Sequence, residues 1–341
     1  MRALTPTRLA AQLAPFFLFF AATLVAAPLL GNVTIDPGEA WAHRHDLAGS
    51  MDASILFLTR VPRVLLAAVV GAALALAGAT FQALLRNPLA EPFTLGVSSG
   101  GAFGAVLAIK LGLDATLLGF SPVMLLALAG SGATVAIVYA LARTRGVVST
   151  NLLLLAGVTI SFFFAAEILL VFYLADFTET HMMIRWMMGS LDVTLNLVGP
   201  GGGFGTRMTL AVSLAAYLAG ALNQLSLGPE IAASRGVNIR RVQRLSYFGA
   251  SLITGLSVAV AGPIGFVGLI VPHAVRFLIG PDHRVLLPAS LLAGAGFLIV
   301  CDTIARSVLP GIEIPVGILT ATLGGPFFLM LLLRAKRLGQ I

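Results

Sequence analysis

Apolar residues run along this chain in long blocks, separated by short polar or Gly/Pro-rich stretches. A helix crossing a hydrocarbon core of roughly 30 Å needs about 20 mostly apolar residues. Ten blocks meet or approach that length, near 10–30, 62–85, 95–111, 121–142, 152–174, 206–224, 244–262, 264–280, 285–307 and 315–333. Those at 95–111 and 264–280 are short or broken by Gly and Pro, so their ends are the least defined. The first block follows Arg2 and Arg8 as a signal peptide would. Its apolar run exceeds the roughly 7–15 residues of such a segment, and nine further blocks follow it. No linker, low-complexity tract or internal repeat divides the chain. The pattern predicts an all-α, polytopic membrane protein of about ten transmembrane helices, in one domain over 1–341.

Composition removes the alternatives. The 341 residues are 58% hydrophobic and 10% charged, with a mean hydropathy of +0.99. Soluble domains run to roughly 45–50% apolar and about 25% charged. Soluble enzymes, nucleic-acid modules and disordered chains are therefore poor fits. The net charge of +7 has a topological explanation. Ten spans put both termini on one side; with the N-terminus inside, 14 of the 21 Lys and Arg residues face inward, and only three of the 14 acids do. Lys and Arg set orientation, so both termini are expected to be cytoplasmic, and no nucleic-acid partner is needed. The single cysteine, Cys301, excludes a disulfide framework and a cysteine metal cluster.

An ATP-driven motor in the same chain would need a phosphate-binding G-x-x-x-x-G-K-[ST] loop. The only lysines, Lys110 and Lys336, do not follow glycine. Gly96-Val97-Ser98-Ser99-Gly100 matches the nucleophile-elbow pattern, which requires a strand-turn-helix setting. Here it opens an apolar helix, and Gly96, Gly100 and Gly104 recur every fourth residue, a spacing that lets helix backbones approach closely.

Charges inside apolar spans are costly and so are candidates for function. Glu167, in the middle of the fifth block, reads as a carboxylate on an aqueous path or proton relay, or as a hydrogen-bonded group between helices. Asp302 and Arg306 lie four residues apart, the spacing of a local ion pair. Arg60 and Arg63, with Arg306, sit near the outer ends of their spans; they snorkel to headgroups or form a cationic docking surface.

The outer segment, about 31–57, holds Trp41, His43, His45 and Asp46, two imidazoles without the further ligands of a closed metal site. No metal site is expected. A short outer helix, about 179–191, carries His181, Met182, Met183, Arg185, Trp186, Met187 and Met188, with the Trp at headgroup depth and the Met residues forming an adaptable lining. The longest inner loop, about 225–243, contains the helix-sized piece Glu230–Gly236 followed by Arg240, Arg241 and Arg244. It suits a soluble partner or an anionic leaflet.

Longer ordered segments carry a resemblance over essentially the whole chain. They are Arg60-Val61-Pro62-Arg63, Arg86-Asn87-Pro88-Leu89-Ala90-Glu91-Pro92 with Gln82, and Leu95 through Gly100. Later come Gly262 through Leu269 with Pro272-His273 and Arg276, Asp282 through Pro288, and Asp302, Ala305-Arg306, Glu313 through Gly317, Thr320, Gly324 and Pro326-Phe327. With these the chain resembles the ten-helix permease of ATP-binding-cassette importers for ferric siderophores, haem and vitamin B12.

The resemblance implies a permease subunit, not an enzyme, working in the bacterial inner membrane as a homodimer. It implies two separate ATPase subunits inside, which use ATP and Mg, and a periplasmic substrate-binding protein outside. No cofactor belongs to this chain. Arg60, Arg63 and Arg306 match the docking positions for the binding protein. Glu230, Ala232, Ala233, Arg235 and Gly236 match the coupling helix held by the ATPase, with Asp282, His283 and Arg284 nearby. Thr150 and Asn151 match a cytoplasmic gate, and Asn87 and Leu89 a second one. Met183, Trp186 and Met187 match a helix beside the central path; Glu167 is placed there without a matching position. His273 belongs to a motif shared across cargoes, so it reads as structural. The implied cargo is a ferric chelate, siderophore or haem, with cobalamin as the alternative. A proton-coupled secondary transporter using Glu167 and Asp302 is the competing class, and an intramembrane hydrolase using Ser98 a third.

Overall fold

The computed structural model describes residues 5–114, 116–117, 120–144, 147–191, 213 and 217–337. Its main helices are α1 (Pro6–Ala26), α2 (Val61–Leu85), α3 (Val97–Lys110), α4 (Pro122–Ala142) and α5 (Thr150–Leu174). The short α6 (Phe177–Met187) and α7 (Pro229–Ser234) follow. The chain ends with α8 (Ile239–Ala261), α9 (Val267–Ile279), α10 (His283–Ala305) and α11 (Val316–Arg337). Small polar residues start several of them. Ser121, Ser149 and Asn238 accept from the backbone N–H of Met124, Leu152 and Arg241, satisfying donors that a helix start leaves open. A two-residue ribbon, β1 (Arg143–Thr144) paired antiparallel with β2 (Val147–Val148), interrupts the helices between α4 and α5.

Six helical stretches are long and apolar enough to cross a membrane: Pro6–Leu29, Met51–Leu85, Pro122–Ala142, Thr150–Leu174, Ile239–Ala261 and His283–Ala305. Three apolar helices are shorter: Val97–Lys110, Val267–Ile279 and Val316–Leu331. Against the expectation of ten spans, the described residues show six long and three short apolar helices. The block at 206–224 falls mostly outside them, and a helix is seen over 217–226.

Two blocks differ from the expected spans for a local reason. Within 264–280, helix begins only at Val267, because Gly262, Pro263 and Gly265 break the run and Phe266 takes a left-handed φ of 68°. The 13 residues of α9 reach about 20 Å, short of the hydrocarbon core. Non-helical backbone at such depth must find partners in the protein. The Phe266 N–H donates to the Glu91 carboxylate, and the Ser190 N–H to the Ala261 carbonyl. Within 95–111, the 14-residue α3 follows a 3₁₀ turn over Pro92–Leu95. No strand precedes Ser98, so the strand-turn-helix setting of a nucleophile elbow is missing.

The second span starts earlier than the expected 62. Helix runs from Met51, passes through a wider π-type stretch at Ile55–Arg60 and continues to Leu85. The last part of the outer segment 31–57 is therefore helical.

α2 is buried on nearly all faces and packs against α8, α9 and α10. Glycines make these contacts possible: a Cβ on Gly71 would overlap the Gly294 carbonyl, and one on Gly78 the Gly268 carbonyl. The predicted glycine stripe works in the same way, with Gly100 against Gly130 and Thr134 of α4. In contrast, α5 exposes Leu155, Phe162, Leu169 and Tyr173, an apolar surface left for lipid or a partner.

Candidate functional site

At one end of the bundle, α7 stands between Gly228 and Gly236, both at positive φ. Pro229 begins it, and the Val237 N–H closes it on the Ala232 carbonyl. Ala232 is buried, while Glu230, Ile231, Ala233, Arg235 and Gly236 are exposed. The helix is thus anchored by one alanine and offers its other faces to a partner.

The same end holds Asp282, His283 and Arg284 in fixed positions. Asp282 caps α10, accepting from the Arg284 N–H at 3.1 Å, and its carboxylate pairs with Arg284 Nη2 at 2.7 Å. The Arg284 guanidinium, helped by the Asn223 amide, lowers the Asp282 pKa to about 2. His283 is buried. Asn223 and Gln224, which the residue pattern did not single out, join these pieces. Asn223 Nδ2 donates to Asp282 Oδ1 at 2.7 Å, and Gln224 Oε1 accepts from Arg235 Nη1 at 2.7 Å.

Beside α7, a cavity of about 420 Å³ is lined by Arg86, Ser149, Thr150, Asn151, Pro229 and Arg240, among others. It brings the predicted gate residues Thr150 and Asn151 next to the chain that carries the second pair. Asn87 follows Arg86, and its Oδ1 accepts from the Leu89 N–H at 2.9 Å, shaping that turn.

The other end contains the three arginines, in a setting different from the one expected. Arg60 and Arg306 are 5% exposed and the Arg63 side chain 11%. Arg63 Nε bridges both oxygens of Asp302 at 3.0 and 3.2 Å, and its Nη1 meets Glu313 Oε2 at 2.6 Å. Arg60 donates to the Pro28 carbonyl at 3.1 Å and to the Val33 carbonyl. Arg306 donates to the Ala27 carbonyl. The expected i,i+4 pair is present but secondary: Arg306 Nε lies 3.5 Å from Asp302, with no hydrogen bond to it. Asp302 is chiefly the partner of Arg63. Arg60 and Arg63 are not at a helix end, because helix extends to Met51, nine residues before Arg60, whereas Arg306 is the C-cap of α10. Their donors turn inward and tie the end of α1 to α2 and α10.

The predicted outer helix is α6, over Phe177–Met187 rather than 179–191. Asp176 and Glu179 form a reciprocal cap at its start. The Lys110 ammonium pairs with Glu179 at 2.7 Å and, with the Asp176 N–H, lowers its pKa. Met183 is fully buried against Ala102, Val106 and Ile168, with Trp186 and Met187 half-buried beside them. Glu167 is half-buried on α5. His43 Nδ1 lies 3.1 Å from the Glu39 carbonyl, and among the described residues no three His, Cys, Asp or Glu side chains converge on a metal position.

The model of the FecCD transport family matches residues 18–334. The chain belongs to the FecCD transport family. This FecCD permease is 41% identical over 287 residues to the hemin transport system permease HmuU of Yersinia pestis, covering 81% of this chain and 82% of that one. It is 36% identical over 330 residues to the vitamin B12 import permease BtuC of Klebsiella pneumoniae, covering 95% of both. A solved inward-facing metal-chelate type ABC transporter superposes with a TM-score of 0.80 at 32% identity, over 95% of this chain and 99% of that one. The FecCD permease is a multi-pass membrane protein, the permease subunit of an ABC transporter and not its ATPase.

Proposed function

We propose that this permease imports a ferric chelate, siderophore or haem, as a homodimer in the bacterial inner membrane, with both termini cytoplasmic. In this reading the chain spans the membrane ten times as a single domain. Two copies of a separate ATPase use ATP and Mg and grip α7 through Glu230, Ala232, Ala233, Arg235 and Gly236, with Asp282, His283 and Arg284 beside them. The carrying observation is the exposure of α7 on a single buried alanine, a shape suited to a socket in another protein. A periplasmic binding protein docks on the Arg60, Arg63 and Arg306 end, where its carboxylates compete with Asp302 and Glu313 for Arg63. Cargo then passes between the two copies along α5 and α6, with Glu167, Met183, Trp186 and Met187 near the path. Thr150 and Asn151, with Asn87 and Leu89, close it on the cytoplasmic side.

Cobalamin is the second reading, favoured by end-to-end alignment with a vitamin B12 permease. Reconstitution with the cognate ATPase and binding protein decides both questions. ATP-dependent uptake of a ferric siderophore or haem, and none of cobalamin, is the expected result. Uptake that persists without ATP and collapses with the proton gradient would overturn the reading.

A further inference from the structure

Asn223 is buried, with 5% of its surface exposed, at the inward end of the helix seen over 217–226. Both ends of its amide are used. Nδ2 donates to Asp282 Oδ1 at 2.7 Å. Oδ1 accepts from the His283 backbone N–H at 2.8 Å and lies 2.8 Å from His283 Nδ1. One amide therefore holds the cap and the first residue of α10 together. A side chain with only acceptors or only donors cannot make this set, because an amide presents one of each. The next residue, Gln224, accepts from Arg235 at the end of α7. Residues 223 and 224 thus connect two loops that are about 50 residues apart in the chain and meet at one end of the bundle.

Beyond this point α10 runs 23 residues, about 34 Å, past Asp302 to the arginine cluster. A displacement of α7 pulls on the 217–226 helix through the chain and through Arg235–Gln224. Asn223 carries it on directly to the start of α10, through Asp282 and His283.

We propose that Asn223 is a positioning residue that clamps the coupling helix α7 to α10, so that the two loops move as one unit. The inference rests on the proposed coupling role of α7. In it Asn223 touches neither cargo nor nucleotide; it fixes how far motion at one loop is carried to the other.

The test uses the complete importer in liposomes, measuring uptake and ATP hydrolysis together. Asn223→Ala is expected to assemble and hydrolyse ATP while the ATP used per cargo molecule rises several-fold. Asn223→Asp should uncouple similarly, since it loses the Nδ2 donor and faces the Asp282 carboxylate. The double variant Asn223→Asp/Asp282→Asn restores a donor and an acceptor with their roles exchanged, and Asn serves as a helix cap as well as Asp does. Recovery of the wild-type ratio in the double variant, with assembly and ATP hydrolysis retained in all three variants, supports the clamp, because a folding defect would lower assembly and hydrolysis rather than the ratio alone. An unchanged ratio in Asn223→Ala, or no recovery in the double variant, overturns it. Failure of the wild-type importer to couple uptake to ATP would instead overturn the proposed function.

Discussion

The two ends of this permease both carry arginines and acids next to short connecting segments, yet they treat them in opposite ways. At the α7 end, Glu230 stands on an exposed six-residue helix with one buried anchor, and Arg235 caps its end. At the far end, Arg60, Arg63 and Arg306 are folded into the protein, with Asp302, Glu313 and three backbone carbonyls taking their donors. The sign of a charge therefore does not define a contact surface. Internal acceptors decide whether a cation is offered outward or used as a strut. A partner at the arginine end would have to exchange an existing ion pair, whereas one at α7 would meet solvent and the single Arg235–Gln224 hydrogen bond.

The contrast is broken or sharpened by graded substitutions. The largest effect belongs to Asp302→Ala. It leaves Arg63 and Arg306 buried without their shared carboxylate and should cost about 3–5 kcal/mol of stability, read from unfolding in detergent. A loss below about 1 kcal/mol would mean that the arginines re-solvate freely and that the two ends are alike. Glu313→Gln removes an acid whose side chain is 58% exposed, so stability should fall by about 1 kcal/mol at most. The same variant removes the negative charge held against Arg63 Nη1, and the affinity of the binding protein should rise; weaker binding would make Glu313 itself a docking residue.

Acid separates the ends more finely. The Asp282 carboxyl is held at about 2 against a usual 3.8. A depressed value means that its contribution is complete above the unfolded value and is lost as pH falls through the interval from 3.8 to 2. Hydrogen exchange at the start of α10 should therefore accelerate across that interval, and a constant rate would show that the cap does not hold the helix. The smallest effect on stability is expected from Glu230→Ala, within about 0.5 kcal/mol. ATP-dependent uptake should nevertheless fall, and unchanged uptake would remove Glu230 from the coupling contact.

Much of the fold was legible because a run of about 20 apolar residues matches the thickness of a bilayer and suits little else. The glycine stripe at 96, 100 and 104 was legible for a similar reason, since that spacing has a direct packing consequence. Three features were not. An apolar run does not distinguish a helix from the non-helical stretch over 262–266, and Glu91, named only within the resemblance segments, supplies the carboxylate to which the Phe266 N–H donates. The Arg63–Asp302 pair joins residues 239 positions apart, beyond any local spacing rule. Asn223 sits beside the loops that resembled coupling elements, but an isolated Asn carries no pattern until its partners are known.

The glycine contacts of α2 also govern how the molecule can change shape. Where Gly71 meets Gly294 and Gly78 meets Gly268, backbone lies on backbone, with no flexible side chain between them to serve as a bearing. Helices meshed so closely cannot slide past each other without collision. They can only tilt together. A change of shape in this block is therefore a tilt of α2, α9 and α10 as one unit, and α5 is meshed in the same way at one point, where Gly157 lies on the backbone of Thr94 and Leu95.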